Sequence, residues 1–140
     1  MSGVTVDASV WIASQDATDP FCAASRAFLL RVLTIGEPVH VPAYARVEIA
    51  CALARKLRNA TKGQRLADRA LTAATVRERP MDHTLIASAF NLGTTAFLRG
   101  ADALYAATAE VTESTLVSWD KEHRLRAGAN SPDDWLAANP

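Results

Sequence analysis

Val4-Thr5-Val6-Asp7, near the start of the chain, and Thr115-Leu116-Val117-Ser118-Trp119-Asp120, near its end, decide the fold. Each is a short run rich in β-branched residues, the composition of a strand, and each closes on an aspartate. The chain between them alternates helix and strand signals. Residues 8–15 fit a short helix. Asp19-Pro20 has the form of a helix start, a capping Asp with proline at the first helical position, for a helix carrying residues 21–33 and stopping near Gly36. Val39-His40-Val41 reads as a second strand closed by Pro42, which cannot donate to a ladder. A helix follows over about residues 43–58, and a capping box at Thr61-Lys62-Gly63-Gln64 opens another that runs to about Arg79. Pro80-Met81 marks a break with room for a very short third strand. Two more helices are expected, over residues 84–91 with Gly93 as the stop signal and over about 100–111. Ser131-Pro132-Asp133-Asp134-Trp135-Leu136 reads as a turn that anchors Trp135. Strands separated by helices imply an α/β fold with a mostly parallel sheet. Such sheets bind ligands at the carboxyl ends of their strands, where the strand order reverses, so Asp7 and Asp120 are expected at the ligand-binding edge.

The chain has 140 residues, 49% of them hydrophobic, which suits one globular domain with an adequate core. No apolar run approaches a membrane span, and Met1-Ser2-Gly3-Val4 lacks the layout of a secretory signal; the expected location is the cytoplasm. Cys22 and Cys51 lie in Ala-rich helical stretches and are expected as buried free thiols, without metal-site spacing. Fifteen basic and fifteen acidic side chains cancel, which taken alone argues against a general nucleic-acid binder. Setting four carboxylates aside for a metal leaves eleven acids against fifteen bases, a net of 15 − 11 = +4 for the rest of the molecule. That sign suits a phosphate backbone.

Four carboxylates stand out. Asp7 and Asp120 each follow a strand, where Asp is also a common helix cap. Their occurrence at equivalent strand ends would bring the two together on adjacent parallel strands. Asp102 precedes Tyr105, Ala106 and Ala109 on its helix face, with no charge among them, and its first-turn position suits an anion. Glu48 has Tyr44, Ala45, Cys51 and Ala52 around it, although Arg55 two turns on leaves a solvated glutamate equally open. Four clustered carboxylates repel one another unless a cation is present. Mg²⁺ or Mn²⁺ prefers oxygen ligands, can activate a water and neutralises charge on a phosphoryl group, so the chemistry suggested is phosphodiester hydrolysis. His40, His83 and His123 are scattered along the chain, and each reads as a core or surface residue rather than a ligand. Ser9 has no His-Asp set spaced to make it a nucleophile and reads as a hydrogen-bond partner of Asp7 or of a metal's water.

Val6-Asp7-Ala8-Ser9-Val10, then Glu48 in a helix, then Asp102-Ala103-Leu104-Tyr105-Ala106-Ala107-Thr108-Ala109, then Ser118-Trp119-Asp120-Lys121-Glu122-His123-Arg124-Leu125 resembles the PIN-domain family. Within it, the chain is similar to the short bacterial VapC-type toxins of toxin–antitoxin pairs. The resemblance implies a single PIN-like domain over residues 1–140, an α/β/α sandwich around a mostly parallel sheet, and endoribonuclease activity dependent on Mg²⁺ or Mn²⁺. It also implies a homodimer and a cognate antitoxin. Asp7, Glu48, Asp102 and Asp120 match the family's acidic positions one by one, as catalytic and metal-binding residues. Ser118 stands where many relatives carry Thr, and Glu122 is the nearest counterpart of a further Asp that many of them have. The stretch from Met81 to Leu98 matches only loosely.

An RNA path is suggested by Arg55, Lys56, Arg58, Lys62, Arg65 and Arg69, set against a lone Asp68. Any one of them is an ordinary solvated charge, but as a set they suit a phosphate backbone led toward Glu48. Arg55, Arg58, Arg99 and Ser9 are the candidate substrate contacts. Phe28, Leu29 and Leu57 offer apolar faces for a dimer or for the core. The alternative from another class is a catalytically inactive PIN-like module that binds RNA or protein, which metal binding would discriminate. A phosphatase using Asp7 as nucleophile is disfavoured, because Ser9 occupies the place of the second Asp such enzymes usually carry.

Overall fold

The computed structural model describes residues 3–73 and 75–140. In chain order it contains β1 (Val4–Val6), α1 (Ala8–Ser14), α2 (Cys22–Thr34), β2 (Val39–Pro42), α3 (Tyr44–Leu57), α4 (Ala60–Leu71), β3 (Val76–Arg79), α5 (His83–Thr95), α6 (Gly100–Thr112), β4 (Thr115–Val117), α7 (Lys121–Ala127) and α8 (Pro132–Ala138). The four strands are all parallel, in the order β3-β2-β1-β4, with helices on both sides in an α/β/α sandwich. Every residue of β1 and β2 is buried, the pattern of parallel strands covered on both faces. Val4, Val6, Val39, Val41 and Val117 meet Val10, Phe28, Ile49, Leu53 and Tyr105 in one core. Helix α6 packs across β1, β2 and β4. No described helix is long and apolar enough to cross a membrane.

The connectivity places the site. The chain builds outward from β1 through β2 to β3, then returns to the other side of β1 as β4. Strand order therefore reverses at β1, and the crevice between the carboxyl ends of β1 and β4 is the switch point. Pairing continues to the first aspartate, since the Asp7 N–H donates to the Val117 carbonyl at 3.0 Å.

Several boundaries differ from the sequence reading. The third strand lies before Pro80, at Val76–Arg79, where helix was expected; the part of that helix at residue 74 falls outside the described residues. Asn59, rather than Thr61, caps α4, accepting the Lys62 N–H at 2.9 Å. Strand β2 includes Pro42, paired with Arg79; the ladder passes it through the Ala43 N–H, which donates to the Arg79 carbonyl. Asp19 caps the turn at Phe21, and α2 begins at Cys22. The C-terminal turn is a helix, with Trp135 edge-on to Phe28 at 5.1 Å. Both cysteines are free, but only Cys22 is buried.

Gly93 does not stop α5; it lies within it. A Cβ there would lie 2.8 Å from the Ala103 Cβ, so its missing side chain lets α5 and α6 close up. Gly63 does the same for α4 on α3, 2.7 Å from the Ala54 Cβ.

Candidate metal centre

Asp7 leaves β1 and caps α1. Its Oδ2 accepts the Ser9 N–H at 3.2 Å and the Ser118 hydroxyl at 3.0 Å, and the residue is 6% exposed. Asp120 leaves the β4 edge and caps α7 in the same manner, its Oδ1 accepting the Glu122 N–H at 2.7 Å. Both aspartates are thus helix caps, and capping fixes the carboxylate that the crevice presents. Ser118 ties the two loops together, because its Oγ also accepts the Asp120 N–H at 3.0 Å.

Asp102 sits in the first turn of α6, where the N-terminal dipole favours an anion. Its Oδ2 is buried and makes no hydrogen bond; the Arg99 Nε stands 3.5 Å away. Glu48, in the second turn of α3, reaches the same crevice and accepts the Tyr105 hydroxyl at 2.7 Å.

The four carboxyls act on one another. Burial pushes Glu48 above its ordinary value, the charges of Asp7 and Asp102 add to this, and the Tyr105 hydrogen bond opposes it. Burial likewise raises Asp102, with Asp7 and Asp120 adding and His123 and Arg99 opposing. Tyr105 is held as a neutral phenol well above its usual range, by its own burial and then by Glu48.

His123 corrects the sequence reading. It is a core residue, but not an isolated one, since it stands between the two innermost aspartates. Its Nε2 lies 3.1 Å from the Asp102 carbonyl and 3.5 Å from Asp102 Oδ1. Facing only acceptors, Nε2 carries a hydrogen. Its Nδ1 lies 3.2 Å from Ser118 Oγ and 3.6 Å from Asp7 Oδ1. One ligand atom from each of Asp7, Asp102 and His123 lies within 4.8 Å of the others, the spacing of a metal site. The available signal was its place three residues after Asp120, which sets both on the first turn of α7.

These residues fit a hard divalent cation. Two of the three grouped donors are carboxylate oxygens, of Asp7 and Asp102, with Glu48 and Asp120 outside that closest group, and a buried oxygen of Asp102 has no hydrogen-bond partner to compete for a cation. The other expected contacts are placed differently. Ser9 Oγ accepts the Trp119 N–H at 3.1 Å, so it braces the β4 loop. Arg99 is exposed at the rim. Glu122 lies 3.9 Å from Arg126 and pairs with it across the helix. Lys56 is held by Asp16 and Asp19, and its ammonium brings the Asp16 carboxyl down to about 2. Arg55 and Arg58 are exposed around a surface recess with Ala52 and Lys56. Phe28 is fully buried and so belongs to the core rather than to a dimer face, while Leu29 and Leu57 are half-buried.

Residues 4–129 match the PIN domain, and the chain belongs to the PIN-domain family. Among solved structures it is similar to FitAcB from Neisseria gonorrhoeae, at 21% identity and a TM-score of 0.70 over 94% of this chain and 98% of that one. It is similar to VapC20 from Mycobacterium tuberculosis, a Sarcin-Ricin loop cleaving toxin, at 19% identity and a TM-score of 0.66 over 98% and 95% of the two chains. A toxin–antitoxin complex from Klebsiella pneumoniae shows 15% identity and a TM-score of 0.63 over 93% and 98%. At such identities the likeness is one of fold. No curated protein matches the chain in sequence.

Proposed function

We propose that this chain is a metal-dependent endoribonuclease, the toxin of a toxin–antitoxin pair. The observation that carries the reading is the convergence of Asp7, Asp102 and His123 at the switch point of a PIN fold, with a buried Asp102 oxygen left without a hydrogen bond. Asp7, Asp102, Asp120 and Glu48 would hold Mg²⁺ or Mn²⁺. When bound, the ion supplies an activated water and charge neutralisation at a phosphodiester.

The chain's own groups set the geometry. Ser118 and the Ser9 N–H hold Asp7 Oδ2, which leaves Oδ1 directed into the crevice. Tyr105 fixes Glu48 by one short hydrogen bond. His123 borders both aspartates, its Nδ1 3.6 Å from Asp7 and its Nε2 3.5 Å from Asp102. An inactive binding module would gain nothing from keeping a buried carboxylate oxygen without a hydrogen bond, which costs stability.

Toxin–antitoxin complexes among the similar structures support a cognate antitoxin as partner. The homodimer implied by the resemblance needs a surface other than the buried Phe28. Ile86 and Phe90, exposed on α5, are the candidates.

The test is cleavage of pooled cellular RNA by the purified protein with Mg²⁺ or Mn²⁺, with EDTA, and with Asp7→Asn. The expected result is cleavage that requires the metal and vanishes in the mutant. Folded, inhibitor-free protein that cuts no RNA would favour the binding module.

A further inference from the structure

Among the large exposed apolar side chains, Phe21 is stacked on a second ring. Its ring lies parallel to that of Trp119, with centroids 4.3 Å apart and planes 16° from parallel. Trp119 sits in the chain between Ser118, which holds Asp7, and the carboxylate Asp120. The indole is fixed at both ends. Its Nε1 donates to Ser25 Oγ at 2.8 Å, and its backbone N–H donates to Ser9 Oγ at 3.1 Å. Phe21 is also tethered, since its N–H donates to Asp19 at 2.8 Å and Asp19 lies 3.6 Å from Lys56 of α3. The result is a tethered two-ring stack whose inner ring, Trp119, directly precedes Asp120 in the chain. Trp119 covers one face of Phe21, and the residue remains 47% exposed.

We infer that the outer face of Phe21 is a stacking platform for one nucleobase of single-stranded RNA, next to the scissile phosphate. This rests on the nuclease reading above for what occupies the crevice, but its own support is the geometry of the stack. A preformed flat ring takes any base through its π-face at little entropic cost, and unpaired RNA bases are free to be splayed onto such rings. The neighbouring carboxylates account for the company it keeps. A nucleotide whose phosphate is held at the cation has its base displaced to the side, where an aromatic surface can take it. An apolar protein side chain would fit a concave pocket better than one convex ring, so RNA is the occupant argued here.

The experiment reads binding, so that it does not depend on turnover. A short single-stranded oligoribonucleotide is titrated onto the protein with Ca²⁺ in place of Mg²⁺, and an abasic site is then placed at each position in turn. In the native protein one position should show a loss of affinity of about five- to 150-fold, the effect of removing one stacked base. In Phe21→Ala that positional penalty should disappear, and in Phe21→Tyr, which keeps the ring, it should persist. Leu30→Ala, at an exposed apolar side chain on α2, should leave the pattern unchanged.

Positional loss in the native protein that is absent from Phe21→Ala supports the platform, even in a protein that cuts nothing. Cleavage with no abasic position coupled to Phe21 overturns the platform and leaves the nuclease reading standing. Phe21→Ala that binds RNA normally but is no longer bound by a protein inhibitor also overturns it, and assigns the ring to a protein partner instead.

Discussion

Asp7 is held by two hydrogen bonds at 6% exposure, whereas Arg55, Arg58, Lys62, Arg65 and Arg69 on the α3–α4 pair all stand in solvent. In the first region burial and neighbouring carboxyls together raise Glu48 and Asp102. The second spreads its charge over exposed turns, where each contribution is small and salt weakens it further. Substitutions in the crevice should therefore act singly and strongly. Those on the helix pair should act weakly and as a sum.

The strongest expected effect comes from Asp102→Asn, which keeps shape and removes charge. Metal-dependent cleavage should fall by at least about 100-fold, because even groups that only support a metal ligand cost ten- to 100-fold. The metal-free protein should be no less stable than the native one, since a buried, burial-raised carboxyl is gone. Thermal denaturation in EDTA checks this, and a large drop in melting temperature would show that the charge is structural.

An intermediate effect is expected from pH. Glu48 and Asp102 both have folded-state values above their ordinary ones. The native state then holds protons more tightly than the unfolded chain, so stability in EDTA should fall as pH rises from the ordinary carboxylate value to the raised one, and level off above it. Saturating Mn²⁺ should reverse the trend, because deprotonated ligands bind the ion. Melting curves across that window, with and without Mn²⁺, decide the matter. A slope of the same sign in both would separate these carboxyls from the metal.

The smallest effect is expected from charge reversal at Arg55 and Arg58. RNA binding should weaken, and the slope of log affinity against log salt should flatten by about one per residue. An unchanged slope would remove the helix pair from the RNA path.

The strands that carry the site were legible because β1 and β4 are runs of apolar and β-branched residues that stop on Asp7 and before Asp120, and short buried strands have no other composition. Strand β3 was hidden by its position. As an edge strand paired only to β2, Val76-Arg77-Glu78-Arg79 carries three charges, and charge reads as an exposed helix. Gly93 misled for a related reason. Sequence shows a glycine's backbone freedom but not the neighbour that needs its missing side chain. Asp102 stood out by its uncharged helix face, whereas Glu48, with Arg55 two turns on, was singled out only by the family resemblance. His123 offered only its place three residues after Asp120, because its meeting with Asp102 across two helices has no sequence period. The pairing of Lys56 with Asp16 and Asp19 was hidden in the same way.

The closeness of α5 and α6 gives residue 93 a reach beyond its own helix. Ala103, which a side chain there would strike, directly follows Asp102 in the first turn of α6. A single added methyl must therefore be absorbed either by α5 giving way or by α6 shifting, and the second moves the carboxylate. Inherited variation at this α5 position is thus filtered by the same sub-ångström tolerance as the carboxylate cluster, and this constraint would look, in a comparison of related sequences, like a requirement of the cluster itself.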